Sequence, residues 1–224
     1  MADGTCTRCG NSGKYCEQGC QGHAPDFCST ILYPDALARA DAKYDEPENA
    51  KMALESARQE NSGYIPAPCN PELHIPVKSR IQETIELCQR MGYHRIGLAF
   101  CSGLKREAAK VAKLLEAHGM EVVSVICKVG GVDKSRIGIA DDEKMVADGA
   151  HESMCNPIGQ AEILNEAKTD FNILLGLCVG HDSLCLKHSN AMCTVLAVKD
   201  RLMGHNPLAA IYTCDSYYEF LAGK

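Results

Sequence analysis

From residue 76 onward, hydrophobic positions alternate between helical spacing and short apolar runs. Ile81, Ile85, Cys88 and Met91 share one helical face. The pattern predicts further helices over residues 104–118, 157–168 and 182–189, and strands over 95–100, 121–127, 172–178, 194–198 and 209–212. Strands that alternate with helices predict a three-layer α/β domain with a mainly parallel sheet, of the Rossmann-like kind, over residues 76–224.

Two smaller segments precede this domain. Residues 34–75 open with two stretches of helix formers, 34–44 and 48–60, and Pro34 and Pro47 suit their first turns. Four prolines between residues 62 and 76 then predict an extended arm that packs on the main domain. Residues 1–33 are rich in Gly and Cys and poor in apolar residues, which predicts a small module held together by a metal.

Composition narrows the class of protein. The chain has 224 residues, a formal net charge of −6 and no Trp, which argues against nucleic-acid binding. No apolar run approaches the length of a membrane span, and the first residues lack the basic and apolar regions of a secretory signal. These features predict a cytoplasmic protein without a membrane partner.

The chain contains 14 Cys. Structural disulfides are rare in the cytoplasm, so this number of cysteines requires another explanation. Metal or cluster ligation, reactive thiols and buried small side chains remain open, and all three can apply to different cysteines.

A first group of cysteines lies near the N-terminus. Cys6 and Cys9 form a C-x2-C pair, which lets two thiolates reach one metal, and Cys16 and Cys28 are the preferred pair to complete a tetrahedral site. Cys20 is then a spare or alternative ligand. Zinc and an iron–sulfur cluster both use four cysteines, and the spacing does not choose between them.

A second group lies at the predicted ends of strands. Cys101, Cys127 and Cys178 each end or follow a strand, and Cys155 lies just before a helix. The carboxyl ends of parallel strands meet at one edge, where ligands bind. Four cysteines there could bind a 4Fe-4S cluster, and three could bind it with one iron open to substrate. Alternatively, each is a small buried hydrophobe.

Other residues suggest chemistry at the same edge. Cys101 begins a C-x4-R sequence with Arg106, so it is also a candidate nucleophile that carries a persulfide. His181 is a candidate general acid or base at a helix start. Lys128, before a Gly-Gly pair, is a candidate contact to an anion.

With these residues in view, the chain resembles the domain-of-unknown-function 1847 family of anaerobic bacteria and archaea. The resemblance rests on the N-terminal cysteines and on the segments FCSGLKREA, CKVGGVDK, MCNPIGQAEILN, GLCVGHDSL and VKDRLMGHNP. It implies metal binding, a suggestion made for the family from its N-terminal cysteines. It implies no reaction and no catalytic residue.

Three hypotheses follow from the cysteines. The leading one is an iron–sulfur protein of an anaerobe that performs redox or sulfur chemistry on a small molecule or with a redox partner protein. The second is a sulfurtransferase that uses a persulfide on Cys101. The third is a zinc-binding or metal-handling protein with no enzymatic role.

Overall fold

The computed structural model describes residues 4–10, 15–146 and 149–223. The chain divides into two compact units, residues 1–61 and 62–224. No helix among the described residues combines the length and apolar character needed to cross a membrane.

The first unit is built from short helical elements. A 3-10 turn spans Cys6–Arg8, and three α-helices follow: α1 (Ser29–Leu32), α2 (Pro34–Lys43) and α3 (Pro47–Ser62), whose last residue belongs to the second unit. Both helices predicted between residues 34 and 60 are therefore confirmed. Neither α1 nor α2 contains a buried residue, in agreement with the small apolar content of this part of the sequence.

The proline-rich segment forms a hairpin. Strands β1 (Tyr64–Ala67) and β2 (Asn70–Pro76) pair antiparallel, with Ile65 opposite Ile75. The sequence predicted only an extended arm here. Each strand of a two-stranded ribbon has one unpaired edge, so prolines without an N–H are tolerated.

The rest of the second unit alternates helices and strands as the sequence predicts. Its elements are α4 (Arg80–Met91), β3 (Arg95–Phe100), α5 (Lys105–Ala117), β4 (Glu121–Ile126), α6 (Pro157–Glu166), β5 (Phe171–Leu175), α7 (His181–His188), β6 (Cys193–Ala197) and α8 (Leu208–Tyr212). The predicted strand at residues 209–212 is wrong, because this segment is helix α8. Pro207 precedes it with a helical backbone, and two alanines favour the helix.

Strands β3 to β6 form one parallel sheet in the order β4-β3-β5-β6. The chain passes from β3 to β4 and then crosses back to β5. Right-handed crossovers place α5 on one face of the sheet and α6 and α7 on the other. The predicted α/β architecture with a parallel sheet is therefore confirmed. The direction of winding reverses between β3 and β5, and sheets of this type bind ligands beyond the strand ends at that point.

The core of the sheet is aliphatic. Ile96, Leu98, Ile173 and Leu174 are at most 1% exposed, and burial of each such side chain contributes about 1.5–3 kcal/mol. Every residue of β5 is buried, whereas β6 at the edge is half-buried throughout. The central strands β3 and β5 are therefore a rigid base for the loops that follow them.

Candidate functional site at the strand ends

Backbone hydrogen bonds join the loops that follow the strands. The Cys101 N–H donates to the Leu175 carbonyl (3.1 Å), and the Cys127 N–H donates to the Phe100 carbonyl (2.9 Å). The Asn156 N–H donates to the Cys127 carbonyl (2.7 Å). The segment before α6 is thus attached to the end of β4, although 29 residues separate Cys127 from Asn156 in sequence.

A close approach between Leu104 and Gly176 holds two of these loops together. Gly176 has a φ of +66°, and a Cβ at this position would lie 2.1 Å from Leu104 Cδ1. Only glycine satisfies both the backbone angle and the contact. Leu104 follows Cys101 by three residues and Gly176 precedes Cys178 by two, so the contact sets the separation of these cysteines.

A buried glutamine on α6 sets the spacing of two strand ends. The Gln160 side chain is fully buried, and its Nε2 donates to the carbonyls of Phe100 (3.2 Å) and Val125 (2.7 Å). Those residues precede Cys101 and Cys127. The Gln160 Oε1 is buried without a hydrogen-bond partner among the described residues. Nothing in the sequence pattern singles out Gln160 or Gly176.

Four cysteines converge above these strand ends. The Ser102 N–H donates to Cys127 Sγ (3.3 Å). Cys101 and Cys127 belong to one buried cluster, and Cys155 packs against it. Cys178 lies close enough to Cys155 to raise its pKa. We call Cys101, Cys127, Cys155 and Cys178 the strand-end thiols. The structure therefore brings together the four residues that the sequence placed at this edge.

Cys101 has a cationic environment. Burial raises the pKa of its thiol, but hydrogen bonds from the Gly103 N–H and the Lys199 ammonium, together with the charge of Lys199, lower it below the usual value. A methyl group on Gly103 would lie 3.7 Å from Lys199 Nζ and 3.9 Å from Cys101 Sγ, so both groups flank this glycine. These contacts favour a thiolate, the form that binds soft metals and acts as a nucleophile.

Cys155 and Cys178 differ from Cys101. Burial and the neighbouring Cys127 raise the pKa of Cys155, although Lys128 opposes the shift. Cys178 Sγ accepts a hydrogen bond from Arg201 Nη2 (3.3 Å), and this contact raises the pKa of Arg201. Both thiols are half-buried, whereas Cys101 and Cys127 are at most 8% exposed. The site therefore has a closed side and an open side.

The other predicted site residues lie around this edge. Lys128 Nζ donates to the Ser153 carbonyl (2.5 Å), near Cys155. The His181 N–H donates to the Cys178 carbonyl (2.9 Å). His181 is half-buried and is the first residue of α7. Gly180 is the N-cap of α7. Arg106 is exposed on α5.

Two other cysteines are ordinary core residues. Cys88 on α4 and Cys185 on α7 are at most 1% exposed. Burial raises the pKa of Cys88 to about 12, and burial with nearby Cys193 and Asp182 raises that of Cys185 to about 11. Thiols of this kind remain protonated and inert.

The N-terminal cysteines surround a separate cavity in the first unit. The cavity measures about 70 Å³, and its lining includes the four preferred ligands but not Cys20. Cys28 precedes α1. Burial raises the pKa of its thiol, but the backbone N–H groups of Thr30 and Ile31 and the Thr30 hydroxyl lower it to below the usual value. The structure therefore places Cys6, Cys9, Cys16 and Cys28 together.

No group of three or more His, Cys, Asp or Glu side chains within residues 4–10, 15–146 and 149–223 is arranged around a single metal ion. A mononuclear zinc site needs four sulfurs at about 2.3 Å from one point. A cubane cluster is larger than one ion, so its ligands stand farther apart. The strand-end thiols are soft donors from three loops, a donor set that suits a cluster.

Comparison with known proteins places the chain in a family. A family described as protein of unknown function (DUF1847) matches residues 28–196. This chain belongs to that family. The matched range contains all four strand-end thiols, whereas Cys6, Cys9 and Cys16 lie before it. An uncharacterized protein of Methanocaldococcus jannaschii is 46% identical over 182 residues, which are 81% of this chain and 86% of that protein.

One structural likeness is more distant. The crystal structure of Dph2 from Pyrococcus horikoshii with a 4Fe-4S cluster aligns with a TM-score of 0.26 and 22% identity. The alignment covers 45% of this chain and 23% of that one. A likeness of this extent does not bear on the fold or the function of the present protein.

Proposed function

We propose that this protein is an iron–sulfur protein whose 4Fe-4S cluster is bound by the strand-end thiols. The observation that carries the proposal is the convergence of four cysteines from three loops, with Cys101 and Cys127 in one buried cluster and Cys155 packed against it. A packing role alone does not explain why all four lie at the ligand-binding edge. Cys88, a core cysteine on α4, lies outside the buried cluster that contains Cys101 and Cys127.

The charges around the thiols support this proposal. Four thiolates on an iron–sulfur core leave a net negative charge, which is costly to bury without compensation. Lys199 contacts Cys101 and Arg201 contacts Cys178. Among the described residues, neither cation forms an ion pair with a carboxylate. Their positive charge is therefore available to the site.

The topology supports the same location. We infer that the sheet is a Rossmann-like doubly wound sheet and that the site lies where its winding reverses. Cys101 follows β3 and Cys178 follows β5, the two strands on either side of that point. Ligands of such sheets bind in the crevice outside the carboxyl ends of these strands.

Each side of the site has a separate role. Cys101 and Cys127, on the closed side, are buried, so their thiols are shielded from water. Arg201 donates to Cys178 on the open side. Lys128 and His181 lie near this opening, where they hold or protonate an anionic substrate. A cluster bound by all four thiols would supply one-electron transfer, and one bound by three of them would leave an iron open to a sulfur or oxygen atom.

Metal and sulfide analysis of the full chain, purified without oxygen, tests the proposal. The expected protein is brown and contains acid-labile sulfide and about four iron atoms per cluster. Cys127→Ser loses this iron and its visible absorption, whereas Cys88→Ser, a matched change at a fully buried cysteine, retains both. Full iron in Cys127→Ser, or a wild-type protein without sulfide, contradicts the assignment.

We further propose that the N-terminal cavity binds its own metal, either zinc or a second cluster, through Cys6, Cys9, Cys16 and Cys28. The support is the shared cavity that these residues line. Cys16→Ser loses one metal centre. Cys20→Ser serves as the control because Cys20 does not line the cavity, and it keeps the metal. Equal metal loss in both variants contradicts this ligand set.

A second candidate function is sulfur transfer through Cys101, which the lowered pKa of this thiol favours. The Cys101 thiolate attacks the outer sulfur of a low-molecular-weight persulfide and releases the donor thiol. Attack of Cys127 on the Cys101 sulfur then releases hydrogen sulfide and leaves a disulfide, which two equivalents of a small thiol reduce as they form their own disulfide. Mass spectrometry of the cluster-free protein after incubation with the persulfide tests this. In Cys127→Ser, which cannot release the persulfide as hydrogen sulfide, a gain of about 32 Da on Cys101 supports it, and an unmodified Cys101 contradicts it.

A further inference from the structure

The loop after β6 carries two cations that lie beside the strand-end thiols. It runs from Lys199 to His205, and the Lys199 N–H donates to the Leu177 carbonyl (3.1 Å), which anchors the loop beside the segment that carries Cys178. We call residues 199–205 the basic loop. Its two cations lie at two different strand-end thiols: Lys199 and Cys101 flank Gly103, and Arg201 donates to Cys178.

Two residues of the basic loop fix its shape through bonds within the loop itself. The Asp200 carboxylate accepts hydrogen bonds from the N–H groups of Leu202 (3.1 Å) and Met203 (2.9 Å). The His205 N–H donates to the Asp200 carbonyl (2.7 Å), and the Asp200 N–H donates to His205 Nδ1 (3.1 Å). Asp200 and His205 therefore close the loop on either side of Arg201.

The backbone of His205 is strained. Its φ is +68°, a left-handed angle that costs a residue with a Cβ about 1–2 kcal/mol. Strain of this kind persists where the surrounding structure requires it, and it clusters at functional sites. The reciprocal bonds with Asp200 supply that requirement here. The carboxylate of Asp200 is the one acidic group in the loop sequence, and it caps backbone N–H groups instead of neutralising Arg201.

We propose that Asp200 and His205 are positioning residues that hold Lys199 and Arg201 as donors to the ligand sulfurs, and that these donors raise the reduction potential of the cluster. This inference rests on the proposed function. Hydrogen bonds and positive charge at ligand sulfurs stabilise the reduced cluster, which carries one more negative charge than the oxidised one. Exposed Arg201 acts on the open side and half-buried Lys199 on the closed side.

A redox titration of the cluster-loaded full chain, followed by its visible spectrum, tests the inference. Arg201→Gln removes the charge and shifts the equilibrium at least tenfold toward the oxidised cluster, a fall of about 59 mV for one electron. Asp200→Ala and His205→Ala shift it in the same direction. His205→Asn restores the potential, because Asn tolerates a left-handed backbone and offers an acceptor oxygen. Lys113→Gln, which removes an exposed positive charge from the second half of α5, leaves it unchanged.

The outcomes distinguish failure of the proposed cluster from failure of the proposed role of the basic loop. Iron and sulfide are measured on every sample, and a wild-type protein without them overturns the proposed function and this inference together. With a full cluster, a wild-type potential in Arg201→Gln overturns the role of the donors. The positioning role alone is overturned by a different result. In that case Arg201→Gln has a shifted reduction potential, whereas Asp200→Ala and His205→Ala both keep a full cluster and the wild-type potential.

Discussion

Gly176→Ala is expected to destabilise the second unit strongly and to separate two cysteine-bearing loops. Gly176 has a φ of +66°, and an added Cβ would lie 2.1 Å from Leu104 Cδ1. The left-handed backbone alone costs an alanine about 1–2 kcal/mol. Forcing a methyl group into a packed contact costs about 1–3 kcal/mol more. The expected loss in the free energy of unfolding is therefore about 2–5 kcal/mol.

Gly92→Ala provides the matched control. Gly92 ends α4 with a φ of +74°, and a Cβ there would meet no atom of the described residues within 4 Å. This variant suffers the backbone cost alone, about 1–2 kcal/mol. The difference between the two variants in the free energy of unfolding is therefore the cost of the contact with Leu104. Urea unfolding followed by far-UV circular dichroism measures both, provided that the dependence on denaturant is unchanged.

The contact also predicts a functional difference. Leu104 moves with the loop of Cys101, so a displaced Leu104 shifts that cysteine relative to Cys178. Gly176→Ala is therefore expected to bind less iron and sulfide than wild type, and Gly92→Ala to bind the same amount. Equal losses of stability in the two variants, with equal iron, would refute the reasoning that this approach holds the site together.

Two further predictions concern the supports of the site. Gln160→Met removes the amide that donates to Phe100 and Val125, and is expected to lower the free energy of unfolding by about 1–3 kcal/mol; unchanged stability in urea contradicts this. N–H groups of Ser135 and Glu152, with Lys144, lower the pKa of Asp133 below its ordinary 3.8. Because its pKa is lowered on folding, the Asp133 carboxylate stabilises the fold above pH 3.8, and this contribution is lost as the pH falls through the folded pKa. Hydrogen exchange at residues 132–146 is therefore expected to be slow at about pH 7 and to accelerate only in strong acid. Asp133→Asn is expected to exchange faster at about pH 7, and exchange as slow as wild type contradicts the role of the carboxylate.

The sequence predicts the placement of the strand-end thiols because it rests on a simple rule. Apolar runs that alternate with helical patterns imply parallel strands, and parallel strands bring their carboxyl ends to one edge. Cys101, Cys127 and Cys178 are therefore predictable from their positions alone. The backbone hydrogen bond from the Asn156 N–H to the Cys127 carbonyl holds the neighbouring Cys155 at the same edge.

Other features depend on contacts between distant residues, which a single sequence does not reveal. Gly176 and Leu104 are 72 residues apart, and no local pattern marks their contact. The contacts of Lys199 and Arg201 to sulfur likewise depend on how the basic loop folds. The sequence predicts a strand in place of helix α8 because a short apolar run of this kind does not distinguish the two structures.

Iron and acid-labile sulfide in the anaerobically purified full chain and in its Cys127→Ser variant test the central claim most directly. A cluster at the strand ends gives a brown wild-type protein with about four iron and matching sulfide. The Cys127→Ser variant then loses that iron and keeps any metal of the N-terminal module. A colourless wild-type protein with zinc and no sulfide contradicts the account, because zinc has no visible absorption.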